Sequence, residues 1–244
     1  MCDIIKEKQV WSVPMQRLIH RRELPMLILL LIIAAAITVT GIVFGQSPLR
    51  ILPLYISLTI ALLQSKVSRN AYLIGGLNSI LYAVVYFSMK LYASAAYALF
   101  FSCTIQLATW ILWGRRPSGK ATVFRAMKGW QRIVTAAGFA IVFLLSVILL
   151  KNTDSAFPIL DTAVSLIGIL NSFLTMFALI EYAPLMIVSQ LLTIALYSLM
   201  LLDDPAQITY LIFAVYGTIC QTLAFINVTK LYRQQKNDRK ESNQ

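Results

Sequence analysis

The sequence predicts an all-α membrane protein in which one N-terminal helix precedes seven further transmembrane helices arranged as 3+1+3. Three observations support this fold class. The 244 residues are 59% hydrophobic and only 13% charged, whereas soluble domains are roughly 45–50% apolar and about 25% charged. The chain contains eight long apolar runs that are almost free of charge. Its lysines and arginines lie mainly in every second connection between these runs.

The apolar runs are long enough to cross a bilayer, which takes about 20 residues per helix, with a range of roughly 17–25. We interpret the first run as a retained helix, because 25 residues precede it and no small-residue cleavage site follows it. Pro48 and Pro53 crowd the start of the second run and leave its first residue poorly defined. The runs occupy approximately residues 26–45, 50–65, 70–89, 91–113, 132–150, 157–180, 183–202 and 207–229.

The basic residues predict the orientation of the chain. Of 21 lysines and arginines, 18 fall on the side that carries both termini, and only Arg50, Lys90 and Lys151 fall on the other side. Basic residues are enriched in cytoplasmic connections, so we expect both termini in the cytoplasm. The net charge of +11 then indicates topology and contact with anionic lipids, with no nucleic acid as partner. The predicted segments are a cytoplasmic N-terminal segment (1–25), an additional helix (26–45), a first triple-helix unit (50–113), a linker helix (132–150), a second triple-helix unit (157–229) and a cytoplasmic basic tail (230–244).

An internal repeat relates the two triple-helix units. Asn78 and Gln190 lie in the second helix of each unit, 112 residues apart, and Gln106 and Gln221 lie in the third helix, 115 residues apart. Transporters built from two related halves bind substrate near the midplane, between the halves. Taken singly, each amide could equally be a strut that bonds two helices. Four amides at matching positions favour a shared central site for a small molecule.

Aromatic residues accompany two of these amides. Trp110 follows Gln106 by four residues, and Phe225 follows Gln221 by four residues, so each pair shares a helix face. We interpret Trp113, beside Gly114, as an interfacial residue. The predicted substrate-binding set is Asn78, Gln106, Trp110, Gln190, Gln221 and Phe225.

The scarcity of charge limits the chemistry. Asp161 is the only acidic residue within the runs, and we expect it to serve the start of the sixth helix, where a carboxylate complements the helix dipole. No acid or base lies at midspan to couple transport to an ion or to bind phosphate, which favours uniport of a neutral or singly charged ligand. The three cysteines are scattered, and His20 is the only histidine. No catalytic motif is present, so we expect no enzyme activity, no catalytic residue, no metal and no cofactor.

Three stretches of the chain resemble a known family. They are Lys90-Leu91-Tyr92-Ala93-Ser94 leading to Gln106-Leu-Ala-Thr-Trp110-Ile-Leu-Trp113, Phe157-Pro158-Ile-Leu-Asp161, and Lys66-Val-Ser68 through Asn78. They resemble the PnuC family of nicotinamide riboside transporters, also labelled nicotinamide mononucleotide transporters, and the resemblance as a whole covers about residues 50–235. The sequence departs from the family at Ala183, Met186 and Gln190, where a second Trp-x-x-Trp commonly precedes an asparagine.

This resemblance implies a fold like that of a full-length SWEET transporter in a bacterial inner membrane. It implies facilitated uptake of nicotinamide riboside for NAD biosynthesis, with trapping by a cytosolic kinase, and it leaves a homo-oligomer open. The predicted substrate-binding residues would then contact the ligand, and Trp110 would stack on it. Thiamine, riboflavin and deoxynucleosides are alternative substrates of the same family. A substrate-binding subunit of an energised uptake complex is a further alternative.

Overall fold

The computed structural model describes residues 12–115, 117–118, 121–153 and 155–241. Residues 1–11 of the predicted N-terminal segment and 242–244 of the predicted basic tail lie outside the described residues. A short antiparallel hairpin, β1 (Pro117–Ser118) and β2 (Ala121–Thr122), follows the fourth helix. The helices are α1 (Ser12–Val43), α2 (Pro48–Ser65), α3 (Asn70–Ser88), α4 (Tyr92–Gly114, π-helical over Tyr97–Ser102), α5 (Gly129–Leu150), α6 (Pro158–Met176), α7 (Tyr182–Asp203) and α8 (Ile208–Glu241).

Each of these eight helices contains a stretch that is long and apolar enough to span a membrane, which confirms the predicted fold class. The helices differ from the predicted runs mainly at their ends. Helix α2 begins at Pro48, because proline is preset for the first helical position and its missing N–H is not needed there. Helix α8 continues to Glu241, well beyond its apolar part, since the lysine, arginine and glutamine residues that follow are good helix formers.

Six helices form a closed ring. Helix α2 packs on α3, α3 on α4, α4 on α6, α6 on α7, α7 on α8, and α8 returns to α2. The predicted first unit (α2, α3 and α4) and second unit (α6, α7 and α8) therefore meet along two seams, α4 with α6 and α2 with α8. We call the side of the ring at which α1 begins and α8 ends the terminal side, and the other the opposite side.

The two remaining helices lie outside the ring. The one extensive helix–helix contact of α5 is with α6, and α5 has no buried residue. Helix α1 packs on α2 and α8, where Ile37 is fully buried and Thr209 donates a 3.0 Å hydrogen bond to Thr40. Most of the spanning part of α1 is exposed, as expected for a peripheral helix that faces lipid. The division into repeat, linker and additional helix stays a prediction.

Hydrogen bonds run along both seams. In the α4–α6 seam, Tyr97 bonds Ser172 at 3.0 Å, and the ring of Tyr97 packs so closely that a β-carbon at Gly168 would lie 3.0 Å from it. In the α2–α8 seam, Tyr216 donates to the carbonyl of Leu58 at 3.2 Å. Small residues and bonded polar groups allow helices to approach closely in lipid. The seams therefore hold the two units together around a central space.

Candidate functional site

The ring encloses a cavity of about 250 Å³, and every ring helix contributes to its lining. Polar but uncharged side chains dominate the lining, and no Asp, Glu, Lys or Arg occurs among its described residues. Three of the six predicted substrate-binding residues lie there. The lining residues are Gln64, Tyr72, Tyr82, Tyr86, Tyr97, Gln106, Thr109, Val164, Gly168, Asn171, Ser172, Thr175, Met186, Ser189, Gln190, Thr193, Tyr197, Tyr210, Phe213 and Gln221.

Gln106 is held in place by its neighbours in the first unit. Its amide nitrogen donates to Ser102 at 2.6 Å and to Ser79 at 3.3 Å. The missing side chain of Gly75 makes room for it, because a β-carbon there would overlap with the Gln106 side-chain oxygen. Gly75 on α3 therefore allows the Gln106 side chain of α4 to pack directly against the α3 backbone. With its nitrogen engaged, Gln106 keeps its side-chain oxygen as an acceptor, and that oxygen packs against Gly75.

Gln190 and Gln221 supply the amides of the second unit. Gln221 is buried and donates to the side-chain oxygen of Gln64 at 3.0 Å, which joins α8 to α2 at the cavity wall. Its own oxygen is buried and has no hydrogen-bond partner. Gln190 faces Gly217, where an added β-carbon would lie 3.1 Å from both polar atoms of the amide. The amides at these two positions therefore differ in how far they are already bonded.

The structure does not bring Asn78, Trp110 and Phe225 into the cavity. Asn78 donates to the Pro53 carbonyl at 3.0 Å and to Ser57 at 2.9 Å, so it joins α3 to α2. Trp110 and Phe225 pack beside a buried aromatic cluster at the terminal side. On α4, Gln106 and Thr109 line the cavity. Trp110, one position after Thr109, therefore points away from the cavity. The Arg69 guanidinium carbon lies 5.8 Å from the Trp110 ring centroid.

Tyrosines close the cavity at the opposite side. Tyr82 stacks on Tyr86 with ring centroids 5.2 Å apart, and Tyr197 stacks on Tyr210 at 5.3 Å. All four line the cavity and belong to one packed apolar region. Tyr210 also donates to the carbonyl of Arg50 at 3.0 Å. Aromatic faces of this kind suit a flat ring or a cation.

Asp161 is fully buried but does not line the cavity. Its carboxylate accepts hydrogen bonds from the backbone nitrogens of Ala93 at 3.0 Å and Ser94 at 3.2 Å, and from the Ser94 hydroxyl. Asp161 lies in the first turn of its own helix, as expected, but its carboxylate is bonded to the start of a different helix. The α6 carboxylate caps the first turn of α4, where free N–H groups attract an anion. It ties the two units together at the opposite side.

A connecting segment closes the terminal side of the cavity. We call residues 122–128, from the last residue of β2 to the residue before α5, the strap. The fully buried ring of Phe124 meets Trp113 at 5.9 Å and Tyr182 at 6.0 Å between ring centroids. Tyr72 packs on the other edge of Trp113, and Tyr72 and Met186 belong both to this aromatic cluster and to the cavity lining. Phe124 thus belongs to a cluster that also contains two residues of the cavity lining.

The strap is fastened mainly to the second unit. Gln235 of α8 accepts from the Phe124 backbone nitrogen at 3.0 Å and donates to the Thr122 carbonyl at 2.9 Å. Arg125 forms a short parallel bridge with Leu179, and Glu181 accepts from the Met127 backbone nitrogen at 3.0 Å. These bonds hold a segment from outside the spans across the end of the ring.

Trp113 is not the interfacial residue that the sequence predicts. It is buried, and its indole nitrogen donates to the carbonyl of Thr175 on α6 at 2.9 Å. The strap is the reason, because Phe124 covers a ring that would otherwise face the aqueous boundary. Trp113 therefore belongs to the closure of the cavity and to the α4–α6 seam.

Sequence reasoning missed Asn171 and Ser172 among the polar lining residues. Asn171 carries the same signal as the four predicted amides, since it lies in the middle of an apolar run. The sequence analysis selected amides that recur in both units about 112–115 residues apart. Asn171 does not meet this criterion, because α2 has no amide at the corresponding position. The strap gave no signal, because its polar partners lie more than 50 residues away in the chain.

A larger depression of about 530 Å³ lies on the outside of the ring, between α3 and α4. Apolar and aromatic side chains such as Val84, Phe87 and Leu99 form its walls. It offers little to orient a polar ligand, and its position suits lipid chains. Among the described residues, no group of three or more His, Cys, Asp and Glu residues could hold a metal. The internal cavity is therefore the candidate site.

Comparison with known proteins adds to this geometry. A sequence model of the nicotinamide mononucleotide transporter family matches residues 47–226, which span all six ring helices. No curated protein matches the chain significantly. The fold is similar to the crystal structure of the vitamin B3 transporter PnuC, with a TM-score of 0.72 over 86% of this chain and 92% of that chain, at 21% sequence identity.

Proposed function

This chain belongs to the nicotinamide mononucleotide transporter family, and on this premise we propose that it carries nicotinamide riboside across the membrane by facilitated diffusion. Membership also agrees with the expectation that the chain is a multi-pass transporter and not an enzyme. The observation that carries the proposal is the uncharged cavity, lined by amides, hydroxyls and aromatic rings, inside a ring of spanning helices. Gln106, Gln190 and Gln221 are the predicted contacts that it supports.

The lining favours a nucleoside over its phosphorylated form. Phosphate groups are bound by arginine, lysine or helix N-termini, and the described lining contains no basic residue. Ribose hydroxyls and a carboxamide match amide and hydroxyl side chains, and a positively charged pyridine ring matches tyrosine faces. We therefore expect nicotinamide riboside to bind and nicotinamide mononucleotide to be excluded.

The same lining supports uniport. Coupling to sodium or protons in membrane transporters relies on buried carboxylates or on ionisable relays. Asp161 is engaged with the start of α4 and lies outside the cavity lining. With no charged group at the site, the substrate gradient alone would drive transport. A cytosolic kinase that phosphorylates the product would then maintain that gradient.

We place the protein in a bacterial inner membrane with both termini in the cytoplasm. The terminal side, where the strap lies, then faces the cytoplasm. The cavity volume of about 250 Å³ lies just below the usual range of small-molecule pockets, roughly 300–1,000 Å³. This favours a ligand with one small ring and a sugar over the large tricyclic ring of riboflavin. Thiamine and deoxynucleosides remain the alternative substrates, and homo-oligomer formation stays a prediction.

Transport requires the cavity to open to each side in turn. On the terminal side, the proposed route is the release of the strap, which withdraws Phe124 from below Met186 and Tyr72. On the opposite side, the closing tyrosines belong to α3, α7 and α8, so opening there requires these helices to separate. Loops that open and close a site commonly move on the microsecond to millisecond timescale.

Uptake into proteoliposomes tests the proposal. Purified protein is reconstituted, and labelled nicotinamide riboside is supplied outside without an ion gradient. We expect saturable uptake that stops at equal concentrations, exchanges with unlabelled substrate, and is unchanged by a protonophore or by sodium. Excess nicotinamide mononucleotide should not compete. A variant with Gln106→Leu should lose uptake.

The failed outcomes separate the alternatives. Uptake of thiamine or a deoxynucleoside in place of nicotinamide riboside would show that the substrate is wrong and the transport class is right. Dependence on sodium or on a proton gradient would contradict uniport. Tight binding without uptake would indicate a capture subunit of an energised complex. A thermal-shift panel of vitamins and nucleosides identifies the bound ligand directly, because a ligand stabilises the fold that binds it.

A further inference from the structure

The amides in the spans divide into bonded and unbonded groups. Asn78, Gln106 and Gln221 each donate to a named partner within the ring. Within the described part of the chain, the side-chain amides of Asn171 and Gln190 make no hydrogen bond. Both residues line the cavity. The unbonded pair belongs entirely to the second unit, on α6 and α7.

A polar group without a partner is costly in this environment. The Asn171 side-chain oxygen is buried and has no hydrogen-bond donor. Native proteins leave few such groups, and each calls for an explanation such as strain, water or a ligand. Asn171 lines the cavity, so a ligand bound there could supply the missing bonds. Rotation of the amide would bring either its N–H groups or its oxygen to the cavity.

The surroundings keep this amide free. Its neighbour Ser172 is engaged with Tyr97, and the Asn171 backbone carbonyl accepts from Thr175 at 2.7 Å. The polar groups next to Asn171 thus already have partners. Gly217 leaves space for the Gln190 amide, because a β-carbon at position 217 would crowd both polar atoms of that amide.

We infer that Asn171 recognises a hydrogen-bonding group of the substrate and, together with Gln190, determines specificity at the cavity wall. The group must both donate and accept, because each free amide offers N–H donors and an oxygen acceptor. A carboxamide and a pair of neighbouring sugar hydroxyls both have this chemistry. The inference rests on the proposed function and deepens it, since it assigns a substrate contact to a residue outside the predicted set.

Binding of three ligands to matched variants tests the inference. Nicotinamide riboside is compared with nicotinic acid riboside, which lacks the amide donors, and with its 2′-deoxy analogue, which lacks one hydroxyl. Asn171→Leu removes donor and acceptor, and Asn171→Ser is the milder second variant in case the first does not fold. Asn78→Leu is the control, because that amide is bonded to α2 and does not line the cavity.

We expect Asn171→Leu to weaken binding of nicotinamide riboside roughly 10-fold, which is the worth of one to two hydrogen bonds. The decisive readout is discrimination. The variant should bind nicotinamide riboside and one of the two analogues equally well. If that analogue is nicotinic acid riboside, Asn171 contacts the carboxamide. If it is the 2′-deoxy analogue, Asn171 contacts the sugar hydroxyls. Gly217→Ala should reduce affinity by crowding Gln190. Asn78→Leu should lower thermal stability and leave discrimination unchanged.

The inference is overturned if Asn171→Leu or Asn171→Ser keeps both the affinity and the discrimination of the unmodified protein. It is also overturned if the affinities for all three ligands fall by the same factor, since that pattern indicates a structural role. Failure of the unmodified protein to bind nicotinamide riboside is a different result, because it contradicts the proposed substrate. In that case the same variants, measured with the vitamin that stabilises the protein, decide the role of Asn171.

Discussion

The two ends of the cavity are closed by different kinds of structure. At the opposite side, closure comes from spanning helices, through stacked tyrosines and through Asp161 at the start of α4. At the terminal side, closure comes from Phe124, which a connecting segment carries into a cluster with Trp113 and Tyr182. The tyrosine end is part of the ring, whereas the Phe124 end is a separate piece fastened to it.

This difference indicates that the ends respond to different perturbations. Loss of the strap removes a closing ring, while the direct hydrogen bonds between the helices of the two seams remain. Loss of a group at the opposite side weakens a seam between the two units and therefore the ring itself. Variants at the terminal side should change access to the cavity more than stability, and variants at the opposite side should do the reverse. Phe124 is the exception, because its ring is also a large buried apolar group.

The largest effect is expected for Phe124→Ala. Removal of a fully buried ring costs about 3–5 kcal/mol in a well-packed core, and here it also opens the floor of the cavity. A cysteine at position 186, introduced as Met186→Cys without the native cysteines, should react faster with an impermeant thiol reagent from the terminal side. Each ~1.4 kcal/mol lost by the closed state raises the open population about 10-fold.

Phe100→Ala is the matched control for this experiment, since Phe100 is an exposed ring on α4. It should leave the labelling rate unchanged from both sides. Faster labelling from the opposite side alone would contradict the assignment of Phe124 to the terminal closure.

The next largest effect is expected for Asp161→Ala. The variant leaves two backbone N–H groups and a hydroxyl at the start of α4 without their acceptor. Unsatisfied buried donors cost about 1–3 kcal/mol each before relaxation, so the thermal unfolding temperature in detergent should fall clearly. Asp203→Asn, an exposed acid at the same side, is the control and should have no effect. Unchanged stability of Asp161→Ala would show that this bridge does not hold the units together.

The sequence predicted the eight spans because hydropathy and helix length are local properties. Amides in apolar runs are conspicuous, and three of those that the sequence singled out, Gln106, Gln190 and Gln221, line the cavity. The sequence did not predict the strap, since the partners of Phe124 come from α4, α7 and α8. The structure places Asn78, Trp110 and Phe225 outside the cavity lining, and their part in binding stays a prediction. Residues four positions apart lie on the same side of a helix only approximately. The packing of neighbouring helices determines which of the two side chains lines the cavity.

A smaller effect is expected for Gln235→Leu. The variant removes both side-chain hydrogen bonds that hold residues Thr122 and Phe124, while the aromatic contacts of Phe124 remain. The loss should be about 1–2 kcal/mol and confined to the strap. Hydrogen exchange of the Phe124 amide should therefore accelerate while α3 and α7 stay protected. Gln234→Leu, at the exposed neighbouring position, should leave exchange unchanged, and equal acceleration throughout the ring would contradict a separate strap.

The smallest effect is expected for Tyr210→Phe, and it sharpens the comparison. The variant removes the hydroxyl that donates to the Arg50 carbonyl and keeps the ring stacked on Tyr197. One neutral hydrogen bond contributes roughly 0.5–1.5 kcal/mol, so thermal stability should fall slightly. Since this bond links α8 to α2, its loss should loosen the α2–α8 seam at the opposite side. Labelling of the cysteine at position 186 should then rise modestly from the opposite side and stay constant from the terminal side. A rise from the terminal side would show that the two ends open together, because a hydroxyl on a spanning helix would then control the distant strap.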